Sequence, residues 1–85
     1  MYLTAKTFEQ AVMMAINEMA EVTDKCMVTV FYPAHTIEVE YETEFIETRP
    51  QTYHHPQEGY TKTHVYRAEL ISDNGTRDVS EYFEL

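Results

Sequence analysis

Tryptophan is absent, cysteine occurs once, and only two glycines and three prolines punctuate the chain. A lone Cys26 excludes an internal disulfide and any Cys-x-x-Cys metal or redox pair, so nothing covalent holds the fold, which suits a reducing compartment. At the head of an apolar stretch, Cys26 reads as a small buried hydrophobe rather than a reactive thiol. So few glycines leave no phosphate-cradling loop, and no nucleophile motif accompanies them. No apolar run approaches the roughly 20 residues that span a bilayer, and residues 1–6 lack the basic-then-apolar layout of a signal peptide. The expectation is a cytoplasmic protein.

Positive charge is the other scarcity. Six Lys and Arg face fifteen Asp and Glu, for a formal charge of −9 and a pI near 4.7. Direct nucleic-acid binding needs cations to replace the counterions condensed on phosphates, so it is disfavoured, and an anionic membrane surface is disfavoured for the same reason. A basic protein surface would instead attract this chain and speed its encounter.

What is present is enough for one modest core. Eighty-five residues, 44% of them hydrophobic and regularly spaced, predict a single domain over 1–85. Thr7-Phe8-Glu9-Gln10 has the pattern of a capping box and opens a helix. Phe8, Val12, Ala15, Met19 and Val22 recur at steps of four and three, with Ala11 and Ile16 widening the stripe, and the helix is expected to end within 23–25, where Lys25 suits the C-terminal dipole.

Residues 26–32 are apolar or β-branched at nearly every position and read as a strand covered on both faces. After a turn at Pro33-Ala34-His35, residues 36–48 alternate strictly: Ile37, Val39, Tyr41, Thr43 and Phe45 one way, Glu38, Glu40, Glu42 and Glu44 the other. Residues 49–60, with Pro50, Pro56 and Gly59, predict an extended loop. A third strand over 61–72 would set Tyr66, Ala68 and Leu70 against Val65, Arg67, Glu69 and Ile71. Asp73-Asn74-Gly75 signals a tight turn, after which 76–85 returns as a short strand through Val79 or coils from Ser80 onward. The fold class is α+β: one N-terminal amphipathic helix packed on a three- or four-stranded antiparallel meander sheet.

The Glu row is the clearest candidate site. Alternate residues of a strand stand about 6.5 to 7 Å apart, close to the separation of successive phosphates along a nucleic-acid strand, so Glu38, Glu40, Glu42 and Glu44 can imitate them. Glu47, with Glu58 and Glu69 from neighbouring segments, would broaden it. A plain solvated sheet face also alternates in this way, and Arg67 and Lys62 would then neutralise part of it. Uniformity favours function, because four glutamates in succession with no lysine among them repel one another.

Other constellations are weaker. His54, His55 and Glu58, with His35 and His64, invite a metal reading, but Pro56 opposes a helical ligand pair and no spacing matches a zinc pattern. No metal, cofactor or catalytic residue is expected, since carboxylates on a flat solvated strand lack a cleft that excludes water. Tyr53 and Tyr60 bracket the long loop and can supply contact area to a partner.

In size, acidity and the Glu38, Glu40, Glu42, Glu44 row, the chain resembles the small phage-encoded inhibitors of host defence, of anti-CRISPR or anti-restriction type. The resemblance implies a non-catalytic inhibitor in the host cytoplasm that acts as a nucleic-acid mimic and occupies the basic groove of a nuclease complex. The alternative is a self-associating assembly module, a homodimer formed through apolar surface that one helix cannot cover.

Overall fold

The computed structural model describes residues 1–21, 25–54 and 56–84. The chain runs β1 (Tyr2–Thr4), α1 (Phe8–Met19), β2 (Lys25–Tyr32), β3 (His35–Arg49), β4 (Glu58–Ser72), β5 (Gly75–Asp78) and a 3-10 turn, η1 (Ser80–Phe83). The strands form one five-stranded sheet in chain order, β1-β2-β3-β4-β5. β1 is parallel to β2, with α1 as the crossover between them, and the remaining pairs are antiparallel. The fold is thus α+β with one helix, as expected, but the sheet is mixed rather than an antiparallel meander. Strand β1 escaped the sequence reading because three residues are too few to show a period.

Local chemistry accounts for α1. Thr7 is extended and its hydroxyl accepts the Gln10 N–H at 3.2 Å, while the Gln10 side chain takes the Lys6 N–H at 2.8 Å, one residue earlier than a capping box would have it. Ala11, Val12, Ala15 and Met19 are buried and Phe8 packs beside them, as the stripe predicted. The helix ends at Met19, earlier than expected, and Lys25 opens β2 instead of complementing a helix terminus. Val22 and the stretch 22–24 lie outside the described residues, as do His55 and Leu85.

Under α1 the sheet presents Val28 and Val30 of β2, Ile37, Val39 and Tyr41 of β3 and Ala68 of β4, all buried. Register aligns them: Ile37 lies between Val30 and Leu70, and Val39 between Val28 and Ala68. The tail resolves its two expectations by taking both, first pairing as β5 and then coiling as η1. η1 brings Val79 and Phe83 into the core beside the helix and sets Tyr82 edge-on to Phe8 at 5.0 Å. The N–H of Ser80 donates to Asp78 Oδ1 at 2.8 Å, which starts this turn and holds the Asp78 carboxyl below its ordinary value.

Thr43 closes the core. Its hydroxyl donates to the Met19 carbonyl at 3.0 Å, one of the acceptors a helix end leaves orphaned, and bonds Thr63 Oγ1 at 2.8 Å, so α1, β3 and β4 meet at one point. Beyond it β3 and β4 continue as a two-stranded arm, and the molecule extends 56 Å along its longest axis against 20 and 17 Å in the others.

Candidate functional site

Nothing among the described residues packs over the face of the sheet opposite α1. The strict alternation of β3 delivers Glu38, Glu40, Glu42 and Glu44 to that face in one line, as the sequence predicted, over roughly 20 Å of strand. They do not share one environment. Arg67 on β4 sits between Glu38 and Glu69, with Nη1 at 3.3 Å from Glu38 and 2.9 Å from Glu69, and all three side chains are about one-third exposed. These two carboxylates, Glu69 above all, hold the guanidinium above its ordinary pKa. One guanidinium shared by two carboxylates partly neutralises the end of the row nearest the β5 hairpin.

Farther along, the balance shifts. Glu42 accepts the Tyr66 hydroxyl at 2.8 Å, which raises that hydroxyl's pKa, and the Lys25 ammonium lies 5.3 Å from the Tyr66 ring centre. Glu44 stands 3.4 Å from His64, and both are about half exposed. Glu40 makes no hydrogen bond or ion pair with a described residue, and Lys62, opposite Glu44 in register, does not close on it. Among the described residues no arginine guanidinium contacts Glu40, Glu42 or Glu44.

A β-bulge decides which residues of β4 join this face. Glu40 pairs with Arg67 but Tyr41 pairs with Val65, so Tyr66 is an extra residue and alternation reverses there. Tyr66 consequently points to the acidic face, while Val65 turns to the helix side and packs against the core with Ala68 and Leu70. The expected partition of Tyr66 with Ala68 and Leu70, and of Val65 with Arg67, is corrected on both counts. A bulge leaves no mark on an alternation count, because the residues on either side fit both phases.

The expectation that residues 26–32 are covered on both faces is also corrected. Only the helix-facing side and Thr29 are buried, while Met27 and Phe31 are about 40% exposed on the acidic face. Tyr2 of β1 stacks on Phe31 at 6.1 Å and is 77% exposed. Tyr2, Met27 and Phe31 were not among the expected site residues. Their signal was the apolar run itself, which one helix could cover on a single side only.

The remaining expected residues divide between the arm and its tip. β4 begins at Glu58, so the connecting loop is shorter than 49–60 and Tyr60 lies in the strand, opposite Ile46. Glu47 alternates to the other side, with Phe45, and accepts from the Gln57 amide, so it does not extend the row. Tyr53 is 95% exposed in the tip and meets His54 edge-on at 4.8 Å. Glu58 pairs with Arg49 at 3.5 Å, far from Glu38, whereas Glu69 does adjoin the row through Arg67. His35 stacks on Tyr32 at 4.8 Å, and its Nδ1 lies 2.9 Å from the Pro33 carbonyl. Cys26 is half-buried against the core rather than enclosed in it.

Among the described residues no three His, Cys, Asp or Glu side chains converge as a metal site would require, and no helix is long and apolar enough to cross a membrane. No protein-family model, curated protein or solved structure matches this chain.

Proposed function

We propose that this chain is a non-catalytic protein-binding inhibitor that lays the acidic face of its sheet on a basic surface of a partner, one that otherwise holds nucleic acid, such as a host defence nuclease complex. The observation that carries the reading is the uncovered strip Glu40, Glu42 and Glu44, evenly spaced on a strand whose opposite side is the core as far as Thr43. A strand fixed by burial on one face presents its carboxylates at constant spacing, so little order is lost when a partner's cations meet them. Tyr66 braces Glu42 through a neutral hydroxyl, whereas Glu38 shares the Arg67 guanidinium.

Beside the strip, Tyr2, Met27 and Phe31 offer apolar contact area of the kind found at the centre of protein interfaces, where charge is otherwise depleted. A carboxylate strip bordered by exposed aromatics fits a protein surface better than it fits a free polycation. In this reading the arm and Tyr53 are secondary grips.

The test is capture from the native host with this chain as bait, followed by competition. A nuclease or nucleic-acid-binding complex should be retained and should be displaced by the nucleic acid it normally binds. Retention that nucleic acid leaves untouched would remove the mimicry.

A further inference from the structure

The sheet has a second unused surface, the outer edge of β4. β5 pairs with β4 only from Glu69 to Ser72, and the Val79 N–H reaches the Ala68 carbonyl at 2.9 Å. From there to Glu58 no described residue pairs with that side of the strand. The direction of its free groups follows from the turns. Pro33 and Ala34 make a two-residue turn, so Tyr32 and His35 exchange both backbone hydrogen bonds and every second pair along β3 does the same toward β2. The intervening residues Glu42 and Glu44 therefore bond to His64 and Lys62, which leaves the N–H and C=O of Thr61, Thr63 and Val65 pointing outward. Clefts of about 400 and 490 Å³ run beside this edge and share Val65, Tyr66 and Ser80 in their walls.

Charge identifies the occupant. In a chain of net charge −9, the stretch 59–68 contains no Asp or Glu, two of the six cations and His64, and the carboxylates that share the cleft walls with it are Glu84 beside Thr63 and Val65 and, nearer β5, Glu69 and Asp78. The side of β3 beyond Glu42 that no described residue pairs with carries Glu44, Glu47 and a single cation, Arg49, and β1 exposes an edge of only three residues. Two copies of so acidic a protein repel one another least where β4 meets β4.

We propose that a second copy of this chain docks on this edge, β4 against β4 across a two-fold axis at Thr63. In that register the outward groups meet: Thr63 faces Thr63, and Thr61 of one copy faces Val65 of the other. Between them Tyr60 faces Tyr66 and Lys62 faces His64, so aromatic and β-branched pairs form and no carboxylate opposes another. Sliding toward residue 62 would set Lys62 against itself, and sliding toward residue 64 would run the pairing into the bulge at Tyr66. Lysine and a bulge are devices that restrain open edges. Here they confine the pairing to 60–66 and to one register. The result is a continuous sheet with two acidic strips on the same face. It stands independently of the inhibitor reading, since partner binding and self-pairing can each fail without the other.

The whole chain examined by sedimentation from micromolar to submillimolar concentration should rise from 10.0 kDa to twice that mass. Over the same range, amide exchange at Thr61, Thr63 and Val65 should slow by at least about tenfold, because the monomer leaves those N–H groups unpaired. T61P removes an outward N–H that the monomer does not use, so it should stay folded and monomeric. A mass of 10.0 kDa throughout, or a dimer whose three amides exchange as in dilute solution, would overturn the proposal. Should T61P fail to fold, the exchange measurement on the unaltered chain still decides.

Discussion

β3 belongs to two different environments along its own length, and the comparison shows what alternation does and does not encode. In its first half Ile37, Val39, Tyr41 and Thr43 are 0 to 1% exposed; two residues later, in the same phase, Phe45 is 45% exposed. The cause is a mismatch of lengths. α1 has 12 residues and covers about 18 Å at 1.5 Å per residue, whereas β3 has 15 and spans about 50 Å. The helix ends where Thr43 takes hold of Met19, and what lies beyond is a ribbon whose outer edges no described residue pairs with. Alternation therefore assigns a side chain to a face, and the element packed on that face decides whether it is buried.

The largest effect should come from the body. I37A removes three carbons from a fully enclosed site and should cost about 3 kcal/mol, while F45A removes a larger group from the arm and should cost under about 1 kcal/mol of global stability. Urea unfolding of both variants measures the difference, and equal losses would mean that the arm folds as part of the core. The arm should still report on itself locally. Phe45 lies over Gly59, where an added Cβ would stand 2.6 Å from its ring, so F45A should speed amide exchange in 44–49 and 58–62 and leave β2 unchanged.

A smaller effect concerns the Tyr41 hydroxyl, a buried side-chain oxygen of the body that has the weakly bonding Cys26 thiol as its neighbour and no well-formed hydrogen bond to another described residue. Burial pushes its pKa up to about 12, with the Cys26 thiol and the Glu18 charge adding to the rise. A folded pKa above the unfolded value of about 10 means that stability holds below pH 10 and falls as pH climbs toward about 12. Y41F should be neutral or up to about 1 kcal/mol more stable at pH 7, because the hydroxyl that is lost has at best the weak Cys26 thiol as a partner, and it should resist alkaline unfolding better than the parent. Destabilisation at neutral pH would show that the hydroxyl has a stronger partner than that thiol.

The smallest effect lies in the turn that starts β3. Ala34 holds a φ of +66° after Pro33, the arrangement of a type II turn that favours glycine in second place. A34G should relieve that strain and raise stability by about 0.5 kcal/mol, less than the strain alone because glycine also frees the unfolded chain. A loss of stability in calorimetry would mean that the Ala34 methyl makes a contact worth more than the strain.

Legibility in the sequence followed the same division. The helix stripe, the Glu row and the Asp73-Asn74-Gly75 turn each rest on a short-range rule, and each is where the pattern put it. Most misses came from pairing between distant segments. β1 exists only because β2 offers it an edge, and the bulge at Tyr66 moves one residue between faces. Glu47 is a miss of another kind, since its place in the alternation already sets it on the side of Phe45. The contact of Arg67 with Glu38 again joins distant segments, since 29 residues separate them. As a result the end of the row that no described guanidinium contacts lies toward Glu44 and not at Glu38, which the spacing of glutamates alone does not encode.

That contrast allows the central claim to be tested with charge changes of both signs. Affinity for the captured partner should be measured across a salt series for E40Q/E42Q/E44Q and for R67Q, after circular dichroism has established that both are folded. If carboxylates on this face carry the binding, the triple variant weakens it at least about tenfold and flattens the salt dependence, whereas R67Q frees Glu38 and Glu69, strengthens it and steepens that dependence. Affinities unchanged in both variants would contradict the account.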